Sequence, residues 1–308
     1  MQSCSSTNST RIGIDLGGTK IEGIVLKTGV GEVARRRAPS PHGNYEATIE
    51  AIAALKSDLE RDSGIAQAPL GLCIPGSISK RTGRIQNANS TWLNGHDLTR
   101  DLSLRLGQDV RIANDANCFA LSEATDGAAA GARTVFGVIL GTGTGGGIVT
   151  EGQVIDGPLG IAGEWGHNPL PWPEPGENPG PQCWCGRSGC METWVSGPAL
   201  SADFARTTGQ TLTAEQIAAA AEAGDAVARA ALDRHAARLA RGLAHVVNIL
   251  DPEVIVLGGG LSRLNQLYTQ LPVLMRPYVF ADDPIIDIRP PKWGATSGVR
   301  GAAWLTSL

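Results

Sequence analysis

The chain has 308 residues, a formal net charge of −4, 42% hydrophobic and 18% charged residues, ordinary proportions for a soluble globular protein of about two domains. Its longest basic run is Arg35-Arg36-Arg37, so the charge footprint of a nucleic-acid binder and the polybasic patch of a membrane binder are both missing. No segment has the roughly 18 consecutive apolar residues of a membrane span. Residues 1–10 are polar and Ser/Thr-rich. They read as a disordered lead-in without the apolar stretch of a secretory signal, which predicts a cytoplasmic protein.

In chain order, residues 11–15 form a short strand, Gly17-Gly18-Thr19 a turn and residues 21–26 a second strand, which together make a hairpin. Residues 45–60 carry Ile49, Ile52, Ala53, Leu55 and Leu59 at helical spacing. Residues 70–74 are a buried strand stopped by Pro75-Gly76. Residues 110–113 are another strand, and 116–125 a helix. The opening pattern then recurs: strand 134–140, a glycine-rich turn over 141–147, and strand 148–155. After an irregular Pro/Gly/Cys-rich stretch, 169–189, residues 226–250 predict a long helix with Leu239, Leu243, Val246, Val247 and Leu250 on one stripe. Asp251-Pro252 ends it, followed by strand 254–257, the turn Gly258-Gly259-Gly260 and a helix from about Ser262. Strands alternating with helices give an α/β class, and the repeat predicts two related lobes flanking a cleft. The expected division is an N-terminal lobe over 11–116 and a C-terminal lobe over 117–308, with the last helix packing back on the first lobe.

Two glycine turns are candidate phosphate sites, because glycine lets backbone N–H groups approach an oxyanion. The first set is Gly13, Asp15, Gly17, Gly18, Thr19 and Lys20, where Asp15 suits Mg²⁺. Taken alone it reads equally as a hairpin turn with a structural Asp. The second is Gly141, Thr142, Gly143, Thr144, Gly145 and Gly146. Its glycines match the dinucleotide fingerprint as text, but that fingerprint must open a helix and these residues open a strand. Gly258, Gly259 and Gly260 suit either a nucleoside or a tight strand-to-helix turn.

Asp115 follows a strand and precedes a helix, where Asp is commonly an N-cap. Its companions point instead to a general base for phosphoryl transfer, a reaction that needs one acid to take the attacking hydroxyl's proton. Asn114, Glu164, His167 and Glu192 supply the polar groups a polyol needs. Cys183, Cys185, Cys190 and His167 form a Cys₃His set that suits a closed, structural Zn²⁺ site. Cys4, Cys73 and Cys118 are scattered and have no assigned role.

These motifs resemble the ROK sugar kinases of the actin-like ATPase superfamily. The carriers are Asp15-Leu16-Gly17-Gly18-Thr19-Lys20, Asn114-Asp115-Ala116-Asn117, the run 141–147, Gly163-Glu164-Trp165-Gly166-His167 and the run 183–192. The resemblance implies a two-lobed actin-like (ribonuclease H-like) α/β fold with duplicated lobes and a zinc knuckle. It implies Asp115 as catalytic base, Asn114, Glu164, His167 and Glu192 on sugar hydroxyls, and ATP with Mg²⁺ on the glycine loops. Zinc would be held by His167, Cys183, Cys185 and Cys190; relatives are often dimers, so a homodimer is one candidate assembly, on which the sequence itself is silent. The segments 76–79, 87–95 and 164–172 look most like bacterial fructokinases that also accept mannose, with Asn89 as a further sugar contact or a loop-stabilising residue. Pro291-Lys292-Trp293-Gly294 departs from the pattern outside the motifs. N-acetylglucosamine kinases and glucokinases share every motif and are the alternative. Sugar-sensing repressors of the family carry a DNA-binding domain ahead of the first lobe, for which ten residues are too few.

Overall fold

The computed structural model describes residues 10–307. The lead-in expected over 1–10 lies outside these, apart from Thr10, which begins the first strand. The chain divides into two compact units, one of residues 1–125, 153–162 and 296–308, the other of residues 126–152 and 163–295. The division falls after Thr125 rather than at 116, because the helix that follows Asn114 packs against the C-terminal helix of the first unit.

In the first unit β1 (Thr10–Leu16), β2 (Lys20–Lys27) and β3 (Gly31–Pro39) form an antiparallel meander. Helix α1 (Tyr45–Ser63) runs from an Asn44 cap to a left-handed Gly64. Strand β4 (Leu70–Ile74) pairs parallel with β1. A small hairpin, β5 (Ser77–Ile78) with β6 (Ile85–Gln86), precedes α2 (Leu98–Leu106). Strand β7 (Val110–Asn114) pairs parallel with β4 and runs straight into α3 (Asp115–Thr125). The sheet order is β3-β2-β1-β4-β7.

The second unit repeats this plan. Strands β8 (Thr134–Leu140) and β9 (Thr144–Thr150) form the hairpin, and the short β10 (Gln153–Val154) follows in the segment assigned to the first unit. Helices α4 (Glu192–Val195), α5 (Gly197–Thr208), α6 (Ala214–Glu222) and α7 (Ala226–Leu250) come next. Strand β11 (Val254–Gly258) pairs parallel with β8, and beyond α8 (Gln266–Met275) β12 (Ile288–Arg289) pairs parallel with β11. The order β9-β8-β11-β12 matches β2-β1-β4-β7 strand for strand. Helix α7 ends at Asp251, whose left-handed backbone (φ 49°) turns the chain toward β11.

The period-two pleat of β1 sorts its residues onto two faces. Ile12, Ile14 and Leu16 enter the core that α1 and α2 cover, with Ile52, Leu55, Leu59 and Leu102. Gly13 and Asp15 face the other way, toward α9 (Ser297–Trp304). There is no space for a side chain at Gly13: a Cβ would meet the Val299 carbonyl and Ala303 of α9. Gly71, its register partner on β4, is blocked by the Ala302 carbonyl, and Gly301 on α9 by the Cys118 carbonyl of α3. Helix α9 therefore packs backbone-close onto the sheet and onto α3. Gly301→Ala is expected to cost roughly 1–3 kcal/mol or more, because the clash is with backbone that cannot swing aside, read as a lower urea midpoint at unchanged m-value.

Candidate active site

The first unit brings Asp15 and Asp115 to the ends of two parallel strands, β1 and β7, that flank β4. Asp15 closes β1 on its α9 face, and its carboxylate lies 3.5 Å from where a Cβ on Gly298, in the first turn of α9, would stand. Burial, then the nearby charges of Asp115 and Glu22, raise its pKa to about 6 against the opposing effects of Cys73 and Lys20. Asp115 is the first residue of α3 and is exposed to solvent. The protein around it desolvates its carboxyl and raises its pKa, although bonds from the Ala116 N–H, Asn114 and its own N–H work the other way.

Asn114, not Asp115, does the work of a helix cap. Its side-chain carbonyl accepts from the Ala116 N–H (2.8 Å) and its amide donates to the Gly76 carbonyl (2.9 Å). Asp115 shares the Ala116 N–H through Oδ1 (2.8 Å). A similar division is found in the loop at Asn89. Asn94 holds that loop, accepting from the Ala88 N–H and donating to the Ala88 carbonyl, both at 2.9 Å. Asn89 is exposed and makes no hydrogen bond among the described residues.

The β1–β2 turn closes with the Gly17 N–H on the Lys20 carbonyl (3.0 Å), leaving Gly18, Thr19 and Lys20 exposed. The Lys20 ammonium pairs with Glu22 (3.2 Å). Gly13, grouped with these residues by sequence, is instead a mid-strand packing glycine.

In the second unit the β8–β9 turn is shorter than its sequence suggests. Strand β9 begins at Thr144, and Gly145, Gly146 and Gly147 pair with Ile139, Val138 and Gly137 of β8. Gly146 is a glycine because a Cβ would fall 2.7 Å from the Phe136 ring and 2.8 Å from Trp165. Only Gly141, Thr142 and Gly143 form the turn, closed by the Gly141 N–H on the Gly143 carbonyl (3.0 Å).

Glu192, at the start of α4, ties that turn to the cysteine loop. Its Oε2 accepts from the Thr144 N–H (3.0 Å), its Oε1 from the indole of Trp184 (2.7 Å), and a side chain on Gly143 would strike it. Trp184 also meets the His167 ring edge-on, with centroids 4.9 Å apart. Glu164 is exposed immediately before the turn that carries His167.

His167, Cys183, Cys185 and Cys190 place their four ligand atoms within 4.8 Å of one another. Cys183 Sγ is 3.6 Å from His167 Nδ1, and Cys185 Sγ is 3.6 Å from Cys190 Sγ. Tetrahedral Zn²⁺ with bonds of about 2.3 Å to sulfur needs ligand separations of ~3.7 Å, so the set fits zinc. Burial pushes the Cys183 thiol up and the Cys190 thiol to about 12, while the backbone N–H of Arg187 lowers that of Cys185. A bound cation would favour all three sulfurs as thiolates. Zinc on Nδ1 would leave His167 Nε2 free to donate.

A cavity of about 790 Å³ opens beside the β8–β9 turn, lined by Gly141, Thr142, Gly197, Ser201, Gly260 and Arg263 among others, a volume that suits a nucleotide-sized ligand. Gly259 lies against β8, where φ 79° and the nearby Leu140 carbonyl admit no side chain. The sequence reading missed Ser201, Arg263 and the start of α6. The visible signal at α6 was the Thr213–Gln216 capping box, which by itself reports a helix start and not a pocket wall.

Two units of one strand order, each opening on a glycine-turned hairpin, define the duplicated α/β fold of the actin-like ATPases. Within that class the chain belongs to the ROK family, whose sequence profile matches residues 11–307. It is 39% identical over 297 residues to an N-acetyl-D-glucosamine kinase of Aliivibrio salmonicida, covering 95% of this chain and 98% of the relative. It is 37% identical over 298 residues to the N-acetyl-D-glucosamine kinase of Haemophilus influenzae, at 95% and 98% coverage. Among solved structures it is similar to a ROK hexokinase from Thermus thermophilus (TM-score 0.85, 33% identity, 96% of this chain and 97% of that one). A ROK glucokinase from Streptomyces griseus, solved with glucose and AMPPNP, also matches (TM-score 0.76, 26% identity, 96% and 98%).

Purified protein is expected to carry about one zinc per chain, and Cys185→Ser to lose it with a clear fall in melting temperature. Metal analysis and calorimetry check both. A wild-type chain purified without chelators and holding no zinc would refute the knuckle.

Proposed function

We propose that the chain is an ATP-dependent sugar kinase that transfers the γ-phosphoryl group to the 6-hydroxyl of a hexose, with N-acetyl-D-glucosamine as the preferred acceptor. The observation that carries the kinase reading is the split of labour at the β7–α3 junction. Asn114 bonds the Gly76 carbonyl and the Ala116 N–H, whereas Asp115, exposed at the head of α3, accepts from the Ala116 N–H through Oδ1 and keeps lone pairs for a substrate hydroxyl. Its carboxylate is the base that takes the proton of the attacking hydroxyl, and the raised pKa makes it a better proton acceptor than an ordinary aspartate.

The remaining roles follow from the chemistry at each position. Bound ATP with Mg²⁺ supplies the transferable phosphoryl group and offsets its charge. Asp15, the carboxylate at the end of β1, is the residue suited to that metal, and the Gly17–Thr19 and Gly141–Gly143 turns offer backbone N–H groups to phosphate oxygens. The cavity lined by Ser201 and Arg263 takes the nucleoside side. Glu164, His167, Glu192 and Asn89 hold sugar hydroxyls. Both Glu192 oxygens already accept one bond each, and each retains a lone pair for a hydroxyl.

Sequence segments resembling fructokinases directed the first expectation to fructose. The N-acetyl-D-glucosamine kinases at 37–39% identity over nearly the whole chain support N-acetylglucosamine instead, and fructose, mannose and glucose become the second reading.

Asp115→Ala is expected to lower kcat on the order of 10²–10⁴-fold while ATP-analogue affinity, measured by calorimetry, is retained. An unchanged kcat would end the proposed role. Both Asp15 and Asp115 must be ionised to act and both have raised pKa values, so kcat/KM for ATP is expected to fall as pH drops through about 6. Activity that stays flat from pH 7 to pH 5 would contradict this. ATP consumption against N-acetylglucosamine, glucose, mannose and fructose is expected to show the highest kcat/KM for the first, and a higher value for fructose would restore the earlier assignment.

A further inference from the structure

The second unit holds another cavity, of about 240 Å³, lined by none of the residues assigned above. Its walls come from α5, α7, Trp194 of α4 and the loop between His167 and Cys183. Two buried carboxylates gather four guanidinium groups there. Asp203 accepts from Arg206 and Arg238 on Oδ1, both at 2.8 Å, and from Arg234 on Oδ2 at 3.0 and 2.8 Å. Glu177 accepts from Arg238 (2.7 Å) and Arg241 (3.0 and 2.8 Å), and also from the Glu174 N–H (2.8 Å). Burial opposes the ionisation of both carboxyls, yet the arginine bonds outweigh it and hold each below its usual range. Both are therefore charged at neutral pH. Four cations face two anions, and counting exposed Glu174 still leaves an excess of positive charge.

Among the buried atoms of the lining side chains, the unfilled hydrogen-bonding capacity is all of one kind. Arg241 Nε and Trp194 Nε1 are buried N–H donors without an acceptor among the described residues, on side chains that line the cavity. The Trp194 ring lies under two of the cations, with Arg238 at 4.6 Å and Arg206 at 5.6 Å. Every carboxylate oxygen of Asp203 and Glu177 already accepts a bond, whereas arginine has five donors and no acceptor. A guest that completes this cavity brings acceptors and negative charge. Its volume is below the ~300 Å³ at which drug-sized sites begin, which favours a compact anion over a nucleotide. Several guanidinium forks converging from different helices match the oxygens of a tetrahedral phosphoryl group better than the two oxygens of a carboxylate.

We propose that this arginine-lined cavity binds a phosphoryl dianion, either free phosphate or the phosphate of a phosphorylated sugar, at a site separate from the glycine turns. Occupancy braces the loop bearing Trp172 and Glu177, which runs between two of the four zinc-ligand positions, against α7, whose Arg241 already bonds both residues. The site stands on its own geometry and does not depend on the kinase assignment.

The test uses the full-length protein at pH 7.5 and constant ionic strength, with AMPPNP present in excess to occupy the glycine-turn site. Inorganic phosphate and glucose 6-phosphate are titrated separately against a chloride control, and the melting temperature is followed. The comparison is the double variant Arg206→Gln/Arg234→Gln, at positions where the side chains are 50% and 36% exposed. Wild type is expected to gain melting temperature with the logarithm of phosphate concentration, and the variant to need on the order of tenfold more ligand with AMPPNP affinity unchanged. A response to inorganic phosphate that the variant weakens identifies free phosphate as a sufficient ligand. The same pattern with glucose 6-phosphate alone identifies the sugar phosphate. No response beyond chloride with either probe, or equal midpoints in wild type and variant, overturns the proposal. Should the double variant fail to fold, Arg206→Gln alone carries the same comparison.

Discussion

The backbone-close contact of α9 with the first sheet is the constraint on which the first unit's chemistry rests. Gly13 and Gly71 sit side by side in register and remove the side chains that would hold α9 away, and Gly301 does the same where α9 meets α3. With α9 at that distance its first turn lies beside Asp15, and α3 is clamped with Asp115 at its start. Neither carboxylate is placed by a loop. Both stand at the ends of parallel strands whose partners and covering helix are fixed, so their positions carry the rigidity of the core.

In the second unit a single carboxylate has the corresponding organising part. Glu192 accepts from a backbone N–H of the β8–β9 hairpin and from the indole of Trp184, whose ring in turn packs on His167. The zinc-ligand cluster and the glycine hairpin are thereby coupled through one side chain. Gly143 is a glycine because Glu192 occupies the space its side chain would need. A metal held by His167, Cys183, Cys185 and Cys190 would tie the histidine ring to the cysteine loop, beside the two bonds that Glu192 makes.

Several sequence readings changed meaning once neighbours were known. A run of seven residues with five glycines looks like one flexible phosphate loop, yet only Gly141–Gly143 turn, and Gly145, Gly146 and Gly147 are paired strand residues. Gly146 answers to Phe136 and Trp165, residues before and after it in the chain. At the β7–α3 junction, position alone favoured Asp115 as the cap, whereas the hydrogen bonds give that work to Asn114. The same exchange occurs between Asn89 and Asn94. Fructose was drawn from local similarity in sugar-facing segments, and whole-chain similarity favoured a different sugar.

By itself the sequence determined the α/β class, the internal repeat, the ends of α7, the four metal-ligand candidates and the strand-terminal positions of Asp15 and Asp115. Each of these is written in local order: alternation along a strand, helical periodicity, a turn residue, or the spacing of cysteines within one short loop. Tertiary structure alone decided which glycines clear a path for a helix and which turn a hairpin, how Glu192 is bonded, and that four arginines from two helices surround two acids. Those facts depend on segments far apart in the chain coming into contact. A pattern of polarity says which face of an element is buried, but not which atoms it will be buried against.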